Sequence, residues 1–288
     1  MKKKQIGVVV IIVAMMTYLI SLPVKGLIRP KEERTKPGAT AGGGQMATQQ
    51  PSSQINVEYV SATAKKLLTV PMVSEITAKE GKLSSAASDV DKLTLEKDLA
   101  ATWDDVNVPA PSAFYYLSMA KKDNKLENWI NAGNRFNDAY KLTQDTLAQP
   151  VFLINAVESF KKALQLAPDN LEAQTGLGIA DVNGGAPSPM TGIGLLLGVV
   201  AKDPNNLKAN LNLGLFSMKS GQFEKAVQRF KTVVAQKPEV EPYFYLAESY
   251  KQLGMKPEAI AAYQKCKEMV VDAAFNQKMD EYIKELKN

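Results

Sequence analysis

The sequence predicts an all-α chain, a solenoid of stacked antiparallel helical hairpins behind a single N-terminal transmembrane helix. Three observations predict it. A set of small and large residues recurs about every 33 positions toward the C-terminus. An apolar run, Ile6–Leu22, follows the basic start Met1-Lys2-Lys3-Lys4. Finally, the chain has no histidine and one cysteine, which removes imidazole bases, His metal ligands and internal disulfides together.

The first element is the short basic tail, 1–5, and the second is the apolar run, 6–22. At 17 residues the run is at the short limit for spanning a hydrocarbon core. Ser21-Leu22-Pro23-Val24-Lys25-Gly26 contains no small-residue cleavage site, so an uncleaved anchor is expected rather than a removed signal peptide. Lysines precede the run, but Lys25, Arg29, Lys31, Arg34 and Lys36 follow it, so charge alone leaves orientation open. The short tail before a large C-terminal domain resembles a type II anchor. This places the domain on the periplasmic side of a bacterial inner membrane.

Residues 23–55 are a basic flank followed by a Gly-, Ser-, Gln- and Pro-containing stretch that cannot bury a core. From Pro37 to Ile55 it reads as a flexible tether with an r.m.s. reach on the order of 25 Å. The formal net charge of +5 belongs to this end of the chain. Residues 1–36 hold eight basic and two acidic side chains, whereas the other 252 residues hold 27 basic and 28 acidic ones. A nucleic-acid scaffold needs a basic face to neutralise phosphates. With the folded part near neutrality, a protein or peptide partner is expected and nucleic acid is not.

Residues 56–90 carry two helical patterns, Val57–Leu68 and Val73–Ser85, outside any repeat. Residues 91–125 read as a degenerate hairpin, with Leu99, Ala100 and Trp103 before the turn marked by Pro109 and Pro111, and Ala113, Leu117 and Ala120 after it. In 126–170, Trp129, Ala132, Gly133 and Phe136 suit a first helix, and Ala156, Phe160 and Ala163 its partner. The 20-residue interval from Phe136 to Ala156 exceeds the 9 of the later copies by 11, close to three helical turns. Lengthening of the first helix is the expected outcome. In 171–206, Leu177-Gly178 opens a copy whose turn, Asn183–Pro189, is two residues longer than usual. Ser188 suits a cap and Pro189 a first helical position.

The sharpest copies are 207–239 and 240–272. Leu213-Gly214, Gly221, Ala226 and Phe230 are matched 33 residues later by Leu246-Ala247, Gly254, Ala259 and Tyr263. A small residue permits close approach of two helices, an aromatic fills the space beside it, and glycine ends the first helix in the left-handed conformation. The final segment, 273–288, places Phe275, Met279, Tyr282, Ile283 and Leu286 on one face and suits a capping helix.

These residues resemble the signature of the tetratricopeptide repeat (TPR) family: the Leu-Gly pair of the first helix, the Ala-x3-Phe of the second, and the closing proline. The layout also resembles single-span bacterial TPR proteins, including the ancillary TPR subunit of the secretion translocon and anchored Bacteroidetes proteins. Asn212 to Ala226 carries the latter likeness, which brings no established activity with it. The resemblance implies a binding scaffold whose first helices line an inner surface. By position, that surface comprises Thr175, Ile179 and Val182; Lys208, Leu211, Leu215 and Met218; and Glu241, Phe244, Glu248 and Lys251. Much of its middle is apolar and suits a peptide or helix. Two other arrangements fit the same pattern. Residues 57–85 could fill the groove from within, or the chain could self-associate as a homo-oligomer.

Other features have plainer readings. Lys208 and Asn212 fall short of a carboxylate-binding set, because neighbouring copies lack matching lysines. Gly185, Gly192 and Gly194 lack the Gly-Lys-Ser/Thr and preceding strand of a phosphate loop. Cys266 occupies a small-residue packing position and is expected to be a buried thiol. The adjacent pair Asp104-Asp105 cannot share a helix face and reads as a solvated helix end. No catalytic residue, metal site or cofactor is expected.

Overall fold

A computed structural model describes residues 55–287, which fall into two units, 55–238 and 239–287. The predicted anchor at 6–22 and the tether lie outside the described residues. No helix among the described residues is long and apolar enough to cross a membrane. These residues are helical throughout and contain no strand.

The larger unit contains ten helices: α1 (Val57–Lys65), α2 (Val70–Ser85), α3 (Asp89–Asp105), α4 (Pro109–Asp123), α5 (Leu126–Leu142), α6 (Ala148–Leu166), α7 (Leu171–Ala180), α8 (Pro189–Lys202), α9 (Leu207–Lys219) and α10 (Phe223–Gln236). From α3 onward they pair as antiparallel hairpins, α3/α4, α5/α6, α7/α8 and α9/α10. Side-chain caps set several of their starts. Asn170 Oδ1 accepts from the Ala173 N–H at 2.8 Å and Asn206 Oδ1 from the Ala209 N–H at 3.0 Å. Ser188 Oγ accepts from the Met190 N–H, with Pro189 in the first turn of α8.

The hairpins α5/α6, α7/α8 and α9/α10 each close where a bulky side chain meets a glycine. A Cβ on Gly214 of α9 would lie 2.6 Å from the Phe230 ring of α10. Phe160 of α6 does this twice, since a Cβ on Gly133 would approach its ring to 2.7 Å and one on Gly176 to 2.1 Å. The fully buried ring is therefore wedged between α5 and α7, and it joins one hairpin to the next.

In the long 126–170 repeat the first helix is extended, but by only four of the eleven inserted residues. With α9 (13 residues) and α10 (14 residues) as reference, α5 has 17 residues, α6 has 19 and the connection 143–147 has five in place of three. The insertion is thus shared between both helices and the turn. Asp145 supplies the reason, because its Oδ1 accepts from the N–H groups of Leu147 and Ala148 and starts α6 early. In the next repeat α7 stops at Ala180 and passes into a π-type turn, 181–185, in which Gly184 has φ 120°.

Helices α1 and α2 pack elsewhere than on the α7–α9 surface. Ile55 and Val60 join the core of α4–α7, and Ile76 lies buried with Leu99, Trp103 and Tyr115. The hydrogen bonds of Tyr59 and Lys79 reach Asp145, Asp98 and Thr102.

The smaller unit is α11 (Val240–Gln252), α12 (Lys256–Met269) and α13 (Ala273–Lys287). Ala259, Tyr263 and Cys266 of α12 are buried, and Phe275, Met279, Tyr282, Ile283 and Leu286 of α13 form its buried stripe. Gly221 and Gly254 end α9 and α11 with φ of 72° and 71°, and a Cβ at either would meet open space. Gly221→Ala and Gly254→Ala are therefore expected to cost about 1–2 kcal/mol each, from backbone conformation alone. Equilibrium denaturation of each variant measures this.

Candidate partner-binding surface

The first helices of consecutive hairpins, α5, α7 and α9, share an inner face in the larger unit. A polar ladder crosses it. Lys208 Nζ on α9 donates to Asn134 Oδ1 on α5 at 2.6 Å, and Asn134 Nδ2 donates to Glu172 Oε1 on α7 at 2.8 Å. Although the Lys208 side chain is exposed, the surrounding protein partly desolvates its ammonium and lowers the pKa, with Asp138 and Glu172 opposing that shift. The lysine is engaged within the chain through Asn134. Asn212 Nδ2 likewise donates to the Lys208 carbonyl at 2.8 Å.

Beyond the ladder, Leu211, Leu215 and Met218 follow at i, i+4 and i+7 along α9, and each is half-buried. Val182 is half-buried or better and packs against the α7–α9 core. Thr175 and Ile179 go further inside. Thr175 is buried and donates to the Leu171 carbonyl at 2.7 Å, and Ile179 is packed with Leu196, Val199, Leu213 and Phe216. Ile179 is therefore part of the packing between hairpins, because the close α7/α8 contact draws it inward.

In the smaller unit the four inner-surface residues read from sequence, Glu241, Phe244, Glu248 and Lys251, are already engaged. Phe244 is buried, with its ring centroid 6.0 Å from that of Tyr263 and 6.2 Å from that of Tyr282. Glu248 accepts a hydrogen bond from the Tyr263 hydroxyl. Burial first, and Glu248 second, raise the pKa of that hydroxyl above the ordinary tyrosine value. Lys251 pairs with Glu285 at 3.4 Å and lies 5.4 Å from the Tyr282 ring centroid. Helix α13 thus covers Phe244 and Lys251, as the first helix of a further repeat would. Tyr245 Oη donates to Glu241 at 3.2 Å.

Asp104 departs from its reading as a solvated helix end. It accepts from Arg135 Nε at 2.8 Å and Nη2 at 3.0 Å, from Ser112 Oγ at 2.6 Å and from Tyr116 Oη at 3.3 Å, which ties α3, α4 and α5 together. Burial opposes the Arg135 charge, but Asp104 and then Asp138 outweigh it and raise its pKa. Asp105, its neighbour, is exposed. Sequence separation hid this hub, since Arg135 lies 31 residues away. Cys266 is fully buried, and burial pushes its thiol pKa up to about 12, which leaves it unreactive. Among the described residues no group of three or more Cys, Asp or Glu side chains is arranged to hold a metal ion.

The tetratricopeptide repeat family model matches residues 240–269. No curated protein matches the chain. Among solved structures, TTC0263, a thermophilic TPR protein in Thermus thermophilus, aligns with a TM-score of 0.51 at 18% identity. That alignment covers 66% of this chain and 97% of the other. MamA of Desulfovibrio magneticus aligns with a TM-score of 0.44 at 21% identity, over 64% of this chain and 97% of that one. The first of these likenesses supports the fold, and the fold alone.

Proposed function

From the premise that this chain carries tetratricopeptide-repeat hairpins, we propose that it is a non-catalytic scaffold that binds protein or peptide segments on the inner face of α5, α7 and α9. The row Leu211, Leu215 and Met218 carries this reading. These apolar side chains stay partly exposed on a face where α1 and α2 contribute no core packing. An amphipathic partner would lay its apolar side there, oriented by the Asn134–Glu172–Lys208 ladder at one end. The available apolar surface is narrower than the sequence pattern implies: Val182, Leu211, Leu215 and Met218, with Lys208 beside it tied to Asn134.

The anchor reading belongs to the same proposal. Residues 6–22 hold the scaffold at a bacterial inner membrane, with the folded part extracytoplasmic. Protease accessibility in spheroplasts tests the side, and protection of the C-terminal domain would overturn it. For the groove, crosslinking and pull-down of the full chain are compared with Leu211→Glu/Leu215→Glu. The double variant is expected to keep its helical content and lose its partners. Retention of the same partners by the folded variant refutes the groove.

A further inference from the structure

A second cleft lies apart from the inner face, where α6, α7, the π-type turn and α8 meet. It has a volume of about 730 Å³. Leu177 of α7 and Leu195 of α8 form apolar walls, Lys161 of α6 stands on the rim, and Gly194 and Gly198 form an open side. A Cβ on either glycine would meet nothing within 4 Å, so these glycines fill no packing requirement of the chain itself. The exposed face of α8 continues the apolar character with Met190 at 66% exposure and Leu197 at 45%. The outward faces of α10 and α12 are charged instead, with Glu224, Lys225 and Lys231 on one and Glu258, Lys265 and Glu268 on the other.

The second observation is Asp181. This cleft-lining carboxylate is only 5% exposed and forms no hydrogen bond or ion pair among the described residues. Its carboxylate lines the cleft and keeps no partner from the chain, so it is available to an external cation. Burial raises its pKa, and the attraction of Lys161 opposes that only in part. The other lysine on the rim, Lys202, is held by Asp169 at 3.0 Å. The cleft therefore offers a carboxylate to a cation and apolar walls at Leu177 and Leu195.

We propose that this cleft is a second binding site, one that takes a short partner-protein segment presenting an arginine or lysine between apolar residues. The ammonium or guanidinium donates to the Asp181 carboxylate. The glycine side of α8 lets the peptide backbone approach closely, and Lys161 is placed to donate to a peptide carbonyl. The site does not depend on the inner-face reading.

A display library of random eight-residue peptides, selected on the full chain in detergent micelles, tests this. Selected peptides are expected to be enriched in a basic residue beside apolar ones. The best of them, fluorescently labelled, is then titrated against three variants. Asp181→Asn should weaken binding roughly 10- to 100-fold while leaving the chain at least as stable, because it removes an unpaired buried charge. Gly198→Leu should abolish binding by filling the cleft, again with the fold intact. Leu211→Glu/Leu215→Glu should bind as the parent does, which separates this site from the inner groove. Replacing the basic residue of the peptide by glutamine should remove the difference between parent and Asp181→Asn. Peptides lacking a basic residue, or binding indifferent to Asp181→Asn, would overturn the proposal. So would a concentration-dependent dimer abolished by Gly198→Leu, which would assign the face to a second copy.

Discussion

Phe160→Ala is expected to lower the unfolding free energy by roughly 3–5 kcal/mol, a large share of the 5–15 kcal/mol typical of a domain. The ring is fully buried and serves two interfaces. It fills the space beside Gly133 within its own hairpin and beside Gly176 in the next. Its removal opens a cavity that rigid helices on both sides cannot collapse into. Chemical denaturation followed by circular dichroism gives the magnitude, and hydrogen exchange should localise the loss to α5–α7. A loss below about 1 kcal/mol would mean that the helices re-close without the wedge. The complementary change, Gly176→Ala, is expected to destabilise by about 1–3 kcal/mol through overpacking against the same ring. Combined with Phe160→Leu, it should cost less than the sum of the two single changes, because the shorter side chain vacates the overlap.

Asp104→Ala is expected to cost about 2 kcal/mol. The Arg135–Asp104 pair is doubly hydrogen-bonded, and removing the carboxylate strands a guanidinium together with Ser112, which is fully buried. The value is held below that of a buried pair because the Asp104 and Arg135 side chains are 20% and 37% exposed. A double-mutant cycle with Arg135→Met reads the coupling directly, and about 1 kcal/mol is expected. A coupling indistinguishable from zero would return Asp104 to a solvated helix end.

The two kinds of result had different visibility in the sequence. The pairing of Gly214 with Phe230 is carried by residue type and spacing within one hairpin, so a local pattern shows it. The double duty of Phe160 is only half visible. Its spacing to Gly133 is blurred by the 11-residue insertion, and nothing in the pattern says that Asp145 divides that insertion between two helices and a turn. The groove was visible by position but not by exposure. Leu215 and Ile179 occupy equivalent places in their repeats, yet Leu215 stays partly exposed while Ile179 is buried between α7 and α8. That difference depends on how closely the neighbouring helix approaches, which Gly178 and Gly192 set through a backbone contact. The Asp181 cleft left only a faint sign, an overlong turn rich in glycine and proline.

The sequence by itself determined the all-helical class, the hairpin period, the left-handed glycines at 221 and 254, the buried thiol and the capping stripe of the last helix. Each of these follows from short-range geometry, in which residues within about two turns or one hairpin dictate each other's surroundings. Only the tertiary structure decided which side chains remain free for a partner. It buried Ile179, engaged Phe244, Glu248 and Lys251 within the C-terminal unit, made Asp104 a junction of three helices and left Asp181 unpartnered in a cleft. Those outcomes depend on contacts between residues far apart in the chain, where exposure and charge are properties of the assembled surface rather than of any one segment.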